Sequence, residues 1–474
     1  MKVRQLDELA VRVMEEARKE GWWKQGITVL AAVSGGPDSM ALLHLLKTMS
    51  EHTPFEIVVA HANHQFRGAE SDAEEQLTRS VAGRWGLPFK SAALNVPAFI
   101  EETGMNAQSA ARDRRYLFLR EVARECGCTH LLLGHHADDQ AETVLMRVIR
   151  GTGPGGLSGI PYRRREEEME LIRPLLRITK GELLAYCKRN EVPFAVDSSN
   201  ADRHYFRNAV RLDLIPMLEG YNPGLKTSLV RLAELAAADE AYLAIETRKA
   251  LELCATSEGE GFQVKLRPFH GLHVALQRRL VKLILSCSAA LERQMDYRLV
   301  EDIVSNLAAA HASASRMELG CGWELVREYD EVYIGPVRPV PAAYGYPVEA
   351  QTNGIVIEET GERFVIERLP GAVQKASVRA MQAFFDAEEL RFPLFIRSRR
   401  PGDVIEPYGL NGSKKVQDMF VDAKVPRHRR ESIPLLVDGD GRVLWIPGMR
   451  RSRHALITTD TRSTLRIEFD RPEN

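Results

Sequence analysis

The 474-residue sequence predicts an α/β protein: an N-terminal parallel sheet with helices on both faces, then a helical domain, then a small mixed α/β domain. Three observations carry this reading. Between about residues 27 and 190, apolar strand-like runs alternate with helical patterns, as in successive strand–helix–strand units. From about Tyr221 to Ala310 the chain is rich in Leu, Ala, Glu and Arg and poor in Pro, with apolar residues three to four apart. After the Pro/Gly-rich stretch GPVRPVPAAYGYP (335–347), short β-rich runs follow. The expected domains are residues 1–216, 217–345 and 346–474.

In chain order, the first 23 residues read as an amphipathic helix of mixed charge. They carry no apolar core or cleavage site of a secretion signal. Strands are expected at Ile27 to Val33, Glu56 to His61, Phe89 to Leu94 and Thr129 to Gly134, and helices at Asp38 to Ser50, Glu70 to Gly86, Asn106 to Cys126 and Ala137 to Arg150. The first strand is continuously apolar, as a strand covered on both faces must be. Gly320 to Ile334 turns strand-like again. GIVIEE, RFVIERL, LFIRSR, RVLWIPG and TLRIEFD are the β-rich runs of the last domain.

No apolar run approaches the roughly 18 residues needed to cross a bilayer, so no membrane role and a cytoplasmic location are expected. Cys126, Cys128, Cys187, Cys254, Cys287 and Cys321 form neither a CxxC pair nor a zinc pattern and are expected to be reduced thiols. The formal net charge is −1, which by itself points to no nucleic acid. Its distribution does: Arg391 to Arg453 holds fourteen Lys or Arg against seven Asp or Glu.

The sharpest motif is Ser34-Gly35-Gly36-Pro37-Asp38-Ser39, between the first strand and a helix. Glycines there admit positive φ and bring backbone N–H groups close to an anion. The helix start adds partial positive charge, and Pro37 suits a first turn. A Walker A loop would need GxxxxGK[ST]. The motif instead resembles the SGGxDS loop of the ATP pyrophosphatase (PP-loop) family, whose members cleave ATP between its α and β phosphates; Asp38 would help hold Mg²⁺. A second glycine run, Gly151 to Gly156, fits GxGxxG but follows a helix, so it lacks the dinucleotide-binding context. It is expected to be a flexible loop near the active site.

A second cluster, GHHADDQAET (134–143), also follows an apolar strand and should face the same crevice, because ligands collect at the carboxyl ends of parallel strands. Asp139 and Glu142 lie three apart on one helical face. They could hold Mg²⁺, or bind or deprotonate a substrate amine. Asp138 is expected to cap its own helix, and His136 either stabilises charge or caps or packs. Arg112 and Arg115 share one helical face, Arg207 and Arg211 another. Such arginines contact phosphates or form a solvated surface.

SGGPDS, AHANHQFRG (60–68), SAARDRRY (109–116), GHHADDQAET, RPLL (173–176) and DSSNADRHYFRNAVR (197–211) together resemble the tRNA(Ile)-lysidine synthetase family. RSRRPGD (397–403), KKVQDMFVDAKVPRHRR (414–430) and WIPGMRRS (445–452) resemble its additional RNA-binding domain, which marks the longer form. The resemblance implies two steps: ATP adenylates O2 of the wobble cytidine of isoleucine tRNA with a CAU anticodon, then free L-lysine displaces AMP. It places ATP at Ser34 to Ser39 and ties Arg112, Asp139 and Arg207 to catalysis or substrate binding, with Glu142 adjacent. The expected tRNA contacts are Arg115, Arg211, Arg397, Arg399, Lys414, Lys415, Arg427, Arg429, Arg430, Arg450 and Arg451. Both the helical and the basic domain would bind tRNA. The oligomeric state is not fixed, and a homodimer is compatible.

Rival readings fit less well. A PP-loop tRNA thiolase typically needs a CxxC pair or an iron–sulfur cluster. An amidotransferase-type ligase needs a glutaminase with a reactive Cys. A non-catalytic RNA-binding protein would not need intact SGGPDS and DDQAET elements.

Overall fold

The computed structural model describes residues 6–22, 26–65, 68–195, 206–309, 315–338, 342–373, 381–410 and 412–471. The chain forms two compact units, Met1–Ala244 and Ile245–Asn474.

In the first unit the order is α1 (Glu8–Glu20), β1 (Thr28–Ala32), α2 (Pro37–Ser50), β2 (Glu56–Asn63), α3 (Ala69–Arg84), β3 (Phe89–Ala93), α4 (Val96–Thr103), α5 (Ala107–Glu125), β4 (His130–Leu132) and α6 (Ala137–Arg150). There follow β5 (Arg163–Glu166), β6 (Met169–Ile172), α7 (Lys180–Arg189), α8 (Phe206–Ala209), α9 (Ile215–Glu219) and α10 (Leu225–Cys254). The sheet order is β3-β2-β1-β4-β6-β5. β1 sits in its middle, parallel to β2 (Leu30 opposite Val58) and β4 (Leu30 opposite Leu131).

Alternation along β1 divides the core. Val29, Ala31 and Val33 face α1, α2 and α7 in one cluster. Leu30 faces the other way, onto Val96, Leu119, Val122 and Ala123 of α4 and α5. Each fully buried aliphatic side chain stabilises by about 1.5–3 kcal/mol. α2 is sandwiched between sheet and helices, so Met40, Leu42, Leu43, Leu45 and Leu46 are all fully buried and the helix is apolar nearly all round.

The four expected strands and four expected helices of this unit are present. The β5–β6 hairpin was not expected. Its sequence RRREEEMELI carries little apolar alternation, and its pairing rests on cross-strand charges such as Arg163 on Glu170. β6 then runs parallel beside β4 and is buried. The glycine run at 151–156 enters a 3-10 turn, Pro154–Ser158. Gly156 O accepts from Arg147 Nη1 at 2.7 Å.

The second unit begins within α10. Its helices α11 (Leu266–His270), α12 (Val274–Leu285), α13 (Ala289–Gln294) and α14 (Tyr297–Ala308) pack on a five-stranded sheet. That sheet comprises β7 (Ala255–Glu258), β8 (Gly261–Lys265), β9 (Ser315–Gly320), β10 (Trp323–Glu328) and β11 (Glu331–Pro336), in the order β7-β8-β11-β10-β9. This region is therefore less purely helical than its composition suggests. β7 is short, polar and mostly exposed, and β8 is only five residues long with Phe262 and Val264 on its core side, so the strand signal there is brief.

The last part holds β12 (Gly345–Val348), β13 (Gly354–Val356), β14 (Arg363–Pro370), β15 (Gln382–Asp386), β16 (Leu394–Arg397), β17 (Val404–Ile405), β18 (Lys414–Lys415), α15 (Val416–Asp422), α16 (Arg427–Arg430), β19 (Leu435–Val437), β20 (Val443–Ile446), β21 (Arg450–Arg451) and β22 (Ser463–Asp470). They form two sheets, β12-β16-β19-β20-β17-β18, with β21 on β20, and β13-β14-β22-β15. Phe364, Phe385, Trp445 and Phe469 fill the core between them. All six cysteines are free. Among the described residues no helix is long and apolar enough to cross a membrane.

Arg397 is one of the residues expected at RNA, but it is 6% exposed and bonds Asp403 through both Nη atoms at 2.8 and 2.7 Å. Burial would raise the Asp403 carboxyl, yet the Arg397 bond and the Arg400 N–H hold it below the ordinary carboxylate range. Breaking a buried pair on one side strands the other charge. Arg397→Ala should therefore destabilise the second unit by about 3 kcal/mol, read as a lower thermal midpoint. Because the folded carboxyl titrates low, the pair's contribution is complete above about pH 4 and drains as pH falls below it. A midpoint insensitive to the substitution would refute this role.

Candidate active site

The carboxyl ends of β1, β2, β4 and β6 converge, and the candidate residues follow them. At the end of β1, Gly35 takes φ +91°, and a Cβ there would lie 3.3 Å from Glu74 of α3. Ser39 Oγ accepts from Ser34 N at 3.1 Å and donates to Gly36 O at 3.0 Å, which closes the loop on itself. Pro37 opens α2, and among the described residues no side chain caps it. Its first N–H groups therefore remain for a ligand. Gly134, after β4, lets the neighbouring chain approach: a Cβ there would sit 3.3 Å from Ser39 Cα and N.

Asp38 projects from the first turn of α2. Lys180 Nζ lies 2.6 Å from each of its carboxylate oxygens. His136, 5% exposed, sits between two carboxylates, with Nε2 3.6 Å from Asp38 Oδ2 and 3.5 Å from Asp139 Oδ2. Asp139 Oδ2 also accepts from His136 N at 3.0 Å, so Asp139 caps α6. Asp138 does not cap its own helix. Its Oδ2 accepts from Lys180 N at 2.9 Å, at the start of α7, and its Oδ1 meets Lys226 Nζ at 3.1 Å. The expected capping role of Asp138 therefore does not hold, because its carboxylate points toward α7 and away from the first turn of α6.

Glu142, 1% exposed, is the most enclosed acid of the cluster. Arg207 Nε reaches it at 2.7 Å and Arg211 Nε at 2.5 Å, while Arg207 Nη2 bonds Asp139 Oδ1 at 2.9 Å. The two arginines straddle the start of a π-helical turn, Val210–Leu214, a feature often found at functional sites. Burial would raise the Asp139 carboxyl, but the charges of His136 and Arg207 hold it below its ordinary value. Arg207 and Arg211 are therefore neutralised by protein acids.

Arg112, on α5, is exposed, with its guanidinium 4.9 Å from the Tyr116 ring centre. Arg115, expected on the RNA side, turns inward instead, and its Nε is enclosed. Lys180 and Arg173 were not expected as individual site residues. Lys180 had a legible signal: Thr179-x-x-Glu182 is a capping box, which places Lys180 in the first turn of α7. Arg173 had a signal only as the first residue of the RPLL motif (173–176), and the β6 strand that presents it was not expected. Residues 197–205 of the DSSNADRHYFRNAVR motif, and Phe66 and Arg67, lie outside the described residues.

In the second unit the basic residues divide by burial. Arg430 is 7% exposed and bonds Val425 O, and Arg451 bonds Phe384 O, His454 O and Ser452 O. Like Arg397, both hold the fold together and do not present a cationic surface. Arg399 pairs with Glu431 and Lys414 with Asp422. Lys415, Arg427, Arg429 and Arg450 are exposed, and among the described residues no carboxylate lies within ion-pair distance of them.

A PP-loop domain matches residues 6–218, a TilS substrate binding domain residues 265–333 and a TilS substrate C-terminal domain residues 394–468. The chain is 35% identical over 461 residues to the tRNA(Ile)-lysidine synthase of Geobacter sulfurreducens, covering 97% of this chain and 96% of that one. The chain belongs to the tRNA(Ile)-lysidine synthase family. A Bacillus subtilis tRNA(Ile)-lysidine synthase is 33% identical over 445 residues, 90% of this chain and 91% of that one. Among solved structures, the U34-tRNA thiolase NcsA of Methanococcus maripaludis aligns with 49% of this chain and 81% of its own, at a TM-score of 0.42 and 24% identity. The matched domains follow one another along the chain, so this member is of the family's longer form.

Glu142→Gln removes the anion that holds Arg207 and Arg211. The segment 206–219 should then exchange its amide hydrogens faster, while β1 exchanges at the original rate. Unchanged protection of 206–219 would show that the clamp does not order it.

Proposed function

We propose that this chain joins L-lysine to C2 of the wobble cytidine of isoleucine tRNA with a CAU anticodon, at the expense of ATP. The cytidine O2 attacks the α-phosphorus of ATP, pyrophosphate leaves, and O2 carries AMP. The ε-amino group of lysine then adds to C2, and AMP departs with the O2 electrons. The observation that carries this reading is the closed glycine loop and open helix start at Ser34 to Ser39, in one crevice with the Asp139–Glu142 acids.

Each residue has a role in that scheme. Ser34 to Ser39 cradle the pyrophosphate portion of ATP through backbone N–H groups and hydroxyls. Arg112, exposed and without a protein acid among the described residues, stabilises negative charge during adenyl transfer. Arg207 and Arg211 hold the acids in place. A carboxyl held below its ordinary value is a weak base, so Asp139, with Glu142, attracts and orients the lysine ammonium more than it deprotonates it. His136 keeps Asp38 and Asp139 from repelling each other.

Mg²⁺ would enter with ATP. Among the described residues there is no group of three ligating side chains. The protein therefore offers mainly Asp38, which suits an ion that keeps waters and phosphate oxygens as ligands. Bound there, Mg²⁺ would neutralise the departing pyrophosphate. The Asp38 site fits it once Lys180 releases the carboxylate.

Lys415, Arg427, Arg429 and Arg450, with Arg399 and Lys414, supply sequence-independent contacts to tRNA phosphates in the cytoplasm. The unstacked anticodon loop offers its bases for reading.

Incubation with [α-³²P]ATP, Mg²⁺, isoleucine tRNA transcript and labelled lysine should release AMP and attach lysine to RNA. Sulfur transfer or a small-molecule product would overturn the reading. Asp38→Ala should abolish turnover in a folded chain, and a mutant with full activity would remove the phosphate site from the scheme. Arg429→Ala should lower the log–log salt dependence of tRNA binding by about one, whereas Arg397→Ala should leave the slope unchanged.

A further inference from the structure

Charge accounting across the crevice leaves an enclosed group of cations uncompensated, besides the exposed Arg112. Lys180 is matched by Asp38, Lys226 by Asp138, and Arg207 and Arg211 by Glu142 and Asp139. Arg115 and Arg173 have no carboxylate within ion-pair distance among the described residues. Arg115 lies midway along α5, and Arg173, 2% exposed, follows β6.

Between them lie Tyr116, 7% exposed, and His135 at the end of β4. The Nε atoms of Arg115 and Arg173 and His135 Nδ1 are enclosed without a hydrogen-bond partner, while Arg173 Nη1 donates to Pro161 O at 2.6 Å and Arg173 also bonds the Tyr116 side chain. Arg115 stands 5.6 Å from the Tyr116 ring centre. Burial, then the charges of Arg173, Arg115 and Arg207, push His135 down to about 3 against the pull of Asp139. Burial also lowers both Arg115 and Arg173 from their ordinary values. Enclosed donors and positive charge without partners are costly, and a fold keeps them where a ligand completes them.

We propose that Arg115, Tyr116, His135 and Arg173 enclose an anion subsite beside the phosphate loop, and that its occupant is the α-carboxylate of the amino-acid substrate. The inference rests on the reading of this chain as a lysine-to-tRNA ligase and adds how that ligase recognises its amino acid. Two guanidinium groups, a phenol and an imidazole form a side-chain site. The phosphate loop, by contrast, is a backbone site and already accommodates the triphosphate. Lysine brings both signs of charge. Its amines suit Asp139 and Glu142, and its carboxylate needs cations that those acids have not already taken. In this crevice Arg115 and Arg173 meet that need.

The test compares lysine with lysinamide and cadaverine, which keep the ε-amine and lack the carboxylate, as acceptors for the full-length enzyme with ATP and isoleucine tRNA. The wild-type KM should be about ten-fold or more lower for lysine than for either analogue. Arg115→Met should raise the lysine KM by a similar factor and shift the cadaverine KM less than about two-fold. Tyr116→Phe, which keeps the ring, should do the same to a smaller extent. Equal use of lysine and cadaverine by the wild type would overturn the subsite, as would variants that raise both KM values together. If Arg115→Met instead raised the KM for ATP in lysine-independent pyrophosphate release, the anion would be a nucleotide phosphate. If it weakened tRNA binding, the anion would be an RNA phosphate. Either result refutes the carboxylate assignment. Absence of any lysine–RNA product from the wild type would overturn the ligase reading itself, a failure distinct from these.

Discussion

A carboxylate with 1% of its surface in contact with water must find its counter-charges inside the protein, and Glu142 finds two. Arg207 and Arg211 approach it from a separate stretch of chain and bond it directly. Desolvating that acid without them would cost several kcal/mol. The clamp therefore does more than neutralise. It fastens the segment from Phe206 onward to α6, gives the π-helical turn its reason, and leaves Asp139 held between Arg207 and His136. The acidic side of the crevice is assembled around this one satisfied charge.

The opposite side follows another constraint. β1 ends in a loop whose glycines and close contacts leave room for backbone N–H groups and little else. Lys180 rests on Asp38, so acid and base balance here too. Among the described residues, positive charge is left over around the enclosed Arg115 and Arg173 and at the exposed Arg112. The crevice thus presents an acidic side and a cationic side.

The basic C-terminal region shows why counting charges along a chain overstates a binding surface. Fourteen cations against seven anions make the segment basic. Yet Arg397, Arg430 and Arg451 are drawn inward by Asp403 and by backbone carbonyls. A guanidinium with five donors serves as well to tie loops together as to meet a phosphate. Only exposure separates the two uses, and a count of charges along the chain does not give it.

The sequence alone determined the strand–SGGPDS–helix unit, the βαβ alternation around it, and the shared helical face of Asp139 and Glu142. These depend on local periodicity and turn chemistry, which a short window contains. It also carried the motifs of the family to which the chain belongs. Only the tertiary structure decided that Asp138 serves α7 while Asp139 caps α6, that Lys180 reaches Asp38 across 142 residues of chain, that a charged hairpin supplies β6 and with it Arg173, and that Arg115 faces inward. Apart from the Asp139 cap, whose partner His136 is three residues away, each of these outcomes depends on which distant group supplies a counter-charge or excludes water, and no local pattern encodes that.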